Sequence, residues 1–486
     1  MKAGLVTVGL AVAITAAAGL ARAQRLRSPW DGERVTPSDA PYACPAPPKF
    51  SPTLPHISGY YTDKKYSVID PKAQAAYQEV NAGPTHLQQY AAQAADAWRS
   101  KGSRDAARCV YSLLAAAAEA DAWDGKMPDN NGVYTQNWTL SGTAMAYLKV
   151  RDSGLGTPAE EAKIQQWFDK LAGRVGEYFE TSGERPDSDA WNNHVYWAGL
   201  AIAAEGVADN DEDAFLWGLA TYRRGIDAIQ PDGSLTAEMG RGQRALHYQI
   251  YALDALVMLA ELGEANGIDL YAERDGAIHR LVAFDEAGMK DPGIIAAGAG
   301  AKQVDVGQNL GPPFAGLEIG WAVPWVARFP DSQIAAQLSA WIAQAPWVNL
   351  SSWGGAPPDG KTPAKTARAE SPGELAFEAR LRDKVQAAFA AQFPATRAEI
   401  AGFFGEWCTE GNPQWKSSIV DRGNVVVLTN EHGDRSTGDA KAPKLLVARA
   451  WNVAGTLTPN GSRIDWTNGT YWQRCRTATE DGKGAR

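Results

Sequence analysis

The chain has 486 residues, a formal net charge of −9 and 45% hydrophobic residues. That length asks for more than one domain, or one large domain with an appendage, and the apolar share supplies a substantial core. The acidic balance disfavours general nucleic-acid binding; a polyanion would have to be met by basic residues gathered in one groove.

The first stretch, "MKAGLVTVGLAVAITAAAGLARAQ", has Lys2, an apolar run and then Ala21-Arg22-Ala23. A basic start, an apolar run and an A-x-A site predict a signal peptide over residues 1–23 and a periplasmic or secreted protein. The run is short for a membrane span, and nothing later resembles one. Export makes four cysteines read as two disulfides. Cys44 and Cys109 lie in one half, Cys408 and Cys475 near the other end, and pairing within each group is the simplest arrangement. No CxxC or Cys/His cluster points to a metal, and no cofactor is implied.

From Asp70 to Pro346 apolar residues recur at helical spacing, with Pro, Gly and Asp in the gaps. "DPKAQ" and "TPAEE" are helix starts, each with a capping residue, Asp70 or Thr157, before a Pro. Many helices joined by short loops, with almost no strand alternation, predict a mainly α domain over 24–347. Helical hairpins would stack there as a solenoid or closed toroid. Residues 348–394 read as a Gly/Pro-rich linker and a helix. Residues 395–486 turn strand-like, in short runs separated by Gly, Asn and Pro, and predict a small all-β barrel or sandwich. A Cys408–Cys475 bridge would close it from first strand to last. Its Trp451, Trp466, Tyr471 and Trp472 are either a glycan-stacking platform or core, with at least two assigned to the core.

Two polar interruptions stand out in the helical part. "DAWNNHVYW", from Asp189, opens an otherwise apolar helix with Asn192, Asn193 and His194. Read alone it is a helix start, with Asn192 or Asn193 as the cap. As a helix, Asn193 and His194 share a face with Trp197, so an amide, an imidazole and an indole could line one patch. "EMGRGQRALHYQIYAL", from Glu238, places Arg241, Arg244, Tyr248 and Tyr251 at helical intervals in one stripe, with His247 off it. Two guanidiniums and two phenols make a wall for an anionic ligand, since Arg binds carboxylates through two parallel hydrogen bonds. "SGYYTDKKYS" reads as a lid or binding loop, with Tyr60, Lys64 and Lys65 able to meet a sugar and its carboxylates.

"NNHVYW" together with "RGQRALHYQIYAL" resembles the alginate lyases of polysaccharide lyase family five. The resemblance runs from about Cys44 to Phe329 and includes "NWTLSGTAMAYL", which contains Trp138. It implies an incomplete (α/α) toroid with a deep cleft and an anionic uronate polysaccharide as partner. Where the family has a Lys-Tyr pair, this chain has Gly59-Tyr60 with lysines downstream. After Gln303, where the family is acidic, it has "VGQNLGPPFAG".

The implied chemistry is β-elimination at a 4-linked uronate. The carboxylate beside C5 must be neutralised, a base must take the C5 proton, and an acid must protonate the departing O4. The resemblance gives Asn193 and Arg241 the first task, with His194 as neutraliser or alternative base. It gives Tyr248 the other two. Tyr60, Lys64, Lys65, Trp138, Trp197, Arg244 and Tyr251 would line the substrate. A phenol is a poor base at neutral pH, so it needs cations nearby, and Arg241 and Arg244 are the candidates. In β-D-mannuronate and β-D-glucuronate the C5 hydrogen and O4 share a face, so one tyrosine can serve both. In α-L-guluronate they do not. The expected substrate is a mannuronate or glucuronate polymer. Two other readings stand beside this one. A glycoside hydrolase would use two carboxylates among Asp187, Asp189 and Glu238, and a non-catalytic exopolysaccharide-binding or assembly protein would use the cleft as a grip.

Overall fold

The computed structural model describes residues 25–475 apart from 34, 183–188, 305–318, 345–371, 393–399, 422–425, 443, 449–450 and 452. The expected signal peptide, Asp187, "VGQNLGPPFAG" and most of the Gly/Pro-rich linker therefore lie outside the described residues. Fourteen α-helices precede eight strands among those described. They are α1 (Pro71–Val80), α2 (Ala82–Lys101), α3 (Arg104–Glu119), α4 (Asn130–Val150), α5 (Pro158–Ser182), α6 (Asn193–Asp209) and α7 (Glu212–Ala228). Then come α8 (Thr236–Met239), α9 (Ala245–Ala265), α10 (Glu273–Lys290), α11 (Pro292–Ala299), α12 (Ala322–Arg328), α13 (Ala335–Gln344) and α14 (Pro372–Gln392).

The helices make two layers. On the inside α4 packs on α2 and α6, and α6 on α9; on the outside α3, α5, α7 and α10 cover them. The sequence explains the division. α4, α6 and α9 are buried nearly all round; α6 and α9 are mostly apolar, and α4 hides polar side chains such as Gln136, Thr139 and Thr143 by hydrogen-bonding them to backbone carbonyls, whereas α3 carries a one-sided apolar stripe. The α6–α7 hairpin closes especially tightly through two glycines. A Cβ on Gly199 would stand 1.6 Å from the Thr221 hydroxyl oxygen, and one on Gly218 would stand 2.4 Å from the Gly199 carbonyl oxygen.

Caps fix where the helices begin. Asp70 accepts from Lys72 N and Ala73 N, and Asp129 from Gly132 N. Thr157 and Glu160 bond each other's backbone N–H reciprocally. An N-terminal strap ties the pole of the toroid together: Leu26 is buried, and its N–H donates to Asn210 while that of Arg27 donates to Asn266. Arg151 at the end of α4 grips Asp31, and Arg27 pairs with Glu378 of α14. Among the described residues no helix is long and apolar enough to cross a membrane.

Glu205 of α6 is buried at this end. Burial first, then the nearby charges of Asp211, Asp209 and Asp169, push its carboxyl up to about 8. The folded state therefore holds a proton that the unfolded chain releases near its ordinary pKa of ~4.3. Stability from this group is complete below that value and is lost as pH rises through about 8. Glu205→Gln is expected to leave Tm unchanged at low pH and to raise it by several degrees, roughly, at alkaline pH. Thermal melts at two pH values check this.

The eight strands form a closed antiparallel barrel in sequence order, with β1 (Gly405–Thr409) pairing both β2 (Lys416–Asp421) and β8 (Tyr471–Arg474). Trp407, Ile419, Leu428, Leu446, Ile464, Trp466 and Trp472 fill it. Of the four aromatics considered for a glycan platform, Trp466 and Trp472 are interior and Trp451 leans on Trp472. Tyr471 lies under the Arg463 guanidinium, 4.0 Å away. Disulfides join Cys44 to Cys109 and Cys408 to Cys475. The second runs from β1 to the residue after β8.

Candidate active site

Two inner helices present the polar residues. Asn192 caps α6 by accepting from His194 N at 3.0 Å, which leaves Asn193 and His194 in the first helical turn. Asn193 is fully buried. Its backbone N–H donates to Glu238 Oε1 at 2.8 Å and its Nδ2 to Glu238 Oε2 at 3.0 Å. His194 stacks flat on Tyr134 of α4, with centroids 4.0 Å apart and planes 14° from parallel, and Trp138 leans on it from 6.4 Å. Tyr134 is itself held by a hydrogen bond to Asp189, which Tyr178 shares. Burial, and next the charge of Arg241, push His194 down to about 4 against the pull of Asp189. At neutral pH it is therefore an uncharged imidazole.

The Arg/Tyr stripe is not one helix. Arg241 precedes a short 3₁₀ turn, Gly242–Arg244, and α9 begins only at Ala245. Gly242 sits at φ +57°, a conformation that continuous α-helix does not use. The break swings Arg241 back over α9, so its guanidinium lies 3.8 Å from the centroid of the Tyr248 ring and 5.2 Å from that of Tyr66. Burial opposes the Arg241 charge, but Tyr248, Glu238 and Tyr61 outweigh it and hold its pKa above the ordinary value.

The loop "SGYYTDKKYS" closes over this pair. Tyr61 Oη lies 2.6 Å from Tyr248 Oη, and Arg244 stands 6.0 Å from the Tyr61 ring. Asp63 knots the loop by accepting from Lys65 N, Ser67 N and Val68 N. Gln243 anchors it by donating to Ser67 O at 2.9 Å. Tyr60 packs on Tyr61 and Tyr77, one residue away from the phenol that touches Tyr248. Lys64 and Lys65 are exposed.

The structure thus brings Asn193, His194, Arg241, Tyr248 and Trp138 into one polar cluster, linked through Glu238 and Tyr134. It corrects the expected role of Trp197. That indole is fully buried, donates to Tyr251 O at 3.0 Å and stacks on Tyr251 with centroids 4.8 Å apart. Trp197 is core between α6 and α9 and has no surface to offer a sugar. Tyr251 lies on the same side, between Trp197 and His247. The carboxylates considered for a hydrolase are engaged elsewhere: Asp189 with Tyr134 and Tyr178, Glu238 with Asn193. Tyr61, Tyr134 and Glu238 are neighbours that spacing along the chain did not disclose.

Among the described residues, Trp138 Nε1, Asn193 Oδ1, His194 Nδ1 and Arg241 Nε are buried with no hydrogen-bond partner. Four buried polar atoms without a protein partner in one cluster suit a polar ligand, since a bond to it would offset the desolvation that each has already incurred.

Residues 58–295 match the family model described as alginate lyase. A polysaccharide lyase of Stenotrophomonas maltophilia is 40% identical over 298 residues, 60% of this chain and 84% of the relative. An alginate lyase of Pseudomonas syringae pv. syringae is 32% identical over 59% of this chain and 76% of its own length. An apo structure of alginate lyase A1-III superposes with a TM-score of 0.56 at 25% identity, covering 67% of this chain and 88% of that one. A tetrasaccharide complex of the same enzyme gives 0.57 at 24%. The family match ends well before the barrel. The fold is the lyase toroid with an appended β-barrel, and the chain belongs to the alginate lyase family of polysaccharide lyases.

Proposed function

We propose that this lyase is exported and cleaves a 4-linked β-D-uronate polymer, polymannuronate or polyglucuronate, leaving a 4,5-unsaturated uronate end. The observation that carries this reading is the Arg241 guanidinium lying face-on against Tyr248, 3.8 Å from its ring centroid, with the Tyr248 hydroxyl within hydrogen-bond distance of Tyr61. A fixed cation stands beside both negative charges of the reaction, the phenolate of Tyr248 and the substrate carboxylate as it becomes an enolate. Relatives named alginate lyase support the substrate class.

In this mechanism the uronate carboxylate enters beside the unpartnered N–H groups of Trp138 and Arg241 and is neutralised by Arg241, Asn193 and the Trp138 indole N–H. Tyr248, positioned by Tyr61, acts as the phenolate and takes the C5 proton; electrons move into the carboxylate as an enolate-like intermediate, then expel O4, to which the now neutral Tyr248 returns that proton, regenerating the phenolate. His194, held near 4, is too weak a base for C5 and serves as an uncharged hydrogen-bonding group beside the carboxylate. Tyr60, Arg244, Lys64 and Lys65 meet neighbouring sugars along the loop.

Ultraviolet absorbance tests this. Polymannuronate or polyglucuronate is expected to yield the conjugated unsaturated end. If neither polymer produces new absorbance and only reducing ends appear, the elimination reading fails.

A further inference from the structure

Glu238 carries an inference that rests on the function just proposed and goes beyond it. The side chain is fully buried in α8, and both of its oxygens lie against Asn193. One of the two Asn193 Nδ2 hydrogens is thereby spent on a protein acceptor, while its Oδ1 has no protein partner. That is the wrong way round for a residue meeting a carboxylate. A carboxylate needs donors, and an amide oxygen facing it repels it. The two ends of an amide are isosteric, so a half-turn of the Asn193 side chain exchanges Oδ1 and Nδ2 with no other movement.

Such a half-turn requires one change in Glu238. An ionised carboxylate only accepts, so it holds Nδ2. A protonated one donates from Oε2, across the same 3.0 Å, to Oδ1, while Oε1 still accepts from the Asn193 backbone. We propose that a proton on Glu238 turns the Asn193 amide so that Nδ2, with both hydrogens free, meets the substrate carboxylate. Glu238 is then a positioning residue: it acts on substrate only through Asn193.

The surroundings favour the proton. Burial raises the Glu238 pKa, against the opposing pull of Arg241 and of the two Asn193 hydrogen bonds. The charged and titratable groups around it are few. α6 contributes Tyr196, whose phenol burial and the Glu238 charge hold up while Arg224 of α7 opposes. The 3₁₀ turn after α8 follows Arg241. α9, which packs on α8, brings His247 and Tyr248, and α11, "PGIIAAGA", brings no ionisable group. An entering substrate carboxylate adds negative charge and raises the proton affinity of Glu238 further. Substrate binding and protonation therefore reinforce each other, and activity should fall on the alkaline side as Glu238 ionises.

Glu238→Gln mimics the protonated form at every pH, since its Nε2 donates to Oδ1 and its Oε1 accepts from the backbone. In the full-length enzyme, Glu238→Gln is expected to keep kcat/KM within about threefold of wild type at neutral pH and to lose the part of the alkaline decline that Glu238 causes. Glu238→Leu should lose about 10²-fold in kcat. A role limited to holding the start of α6 would leave the Gln and wild-type pH profiles superimposed. That outcome, or a Gln variant as poor as the Leu variant, overturns the proposal.

A second measurement keeps Glu238 intact. With Tyr248→Phe, the Kd for a polymannuronate oligosaccharide should weaken with rising pH, approaching about tenfold per unit once Glu238 ionises. A pH-independent Kd would overturn the proposal as well. No absorbance on any uronan defeats the functional reading itself, whereas absorbance with either overturning result here defeats only the amide switch.

Discussion

Tyr248→Phe is expected to lower kcat by at least about 10³-fold while oligosaccharide Kd stays within about threefold of wild type. The substitution removes one oxygen. It leaves the ring beneath Arg241 and the apolar body of Tyr248, which is almost wholly buried at 7% exposure. In the proposed mechanism the lost hydroxyl performs both proton transfers, and no other group can take its place. His194 is held near 4 by burial and by Arg241. Tyr61, the other phenol at the same spot, has its pKa pushed far up, chiefly by burial and then by Tyr248. Steady-state kinetics and equilibrium binding separate the two effects. A variant that still turns over would move the acid/base role to Tyr61 or His194.

Arg241→Ala is expected to cost about 10²–10³-fold in kcat, because its charge matters most when the carboxylate becomes an enolate. Arg241→Lys should recover only part of the loss, since an ammonium cannot both lie flat on Tyr248 and donate two parallel hydrogen bonds to a carboxylate. The effect should fall more on kcat than on KM, as expected for an interaction that strengthens in the transition state. Equal losses in binding and turnover would instead make Arg241 a general anchor for the polymer.

Much of the architecture was legible from local signals. Helices α6 and α9 are apolar nearly all round and lie inside; caps such as Asp70 and Thr157 mark where helices start. The β region was legible as strands but not as a barrel rather than a sandwich. Closure depends on β1 pairing with β8, more than sixty residues later (Trp407 opposite Arg474), and no local pattern encodes that. At the site, Asn193, His194, Arg241 and Tyr248 were legible through their motifs, but their geometry was not. A continuous helix from Glu238 would have pointed Arg241 along a stripe; the positive φ of Gly242 turned it onto Tyr248 instead. Trp197 shares a helix face with Asn193, yet one turn further along, that face is already under α9. Tyr61 and Glu238 reach their partners across 187 and 45 residues, so only the folded chain reveals them.

The central claim is that a single phenol on one face of the sugar carries out both proton steps. The most direct test compares initial rates of absorbance gain on polymannuronate and polyguluronate at equal uronate concentration. With C5–H and O4 on the same face, polymannuronate should react at least about 10²-fold faster, the scale of a misplaced general acid. Equal rates on the two polymers would contradict it, because no single tyrosine can reach both groups when they lie on opposite faces.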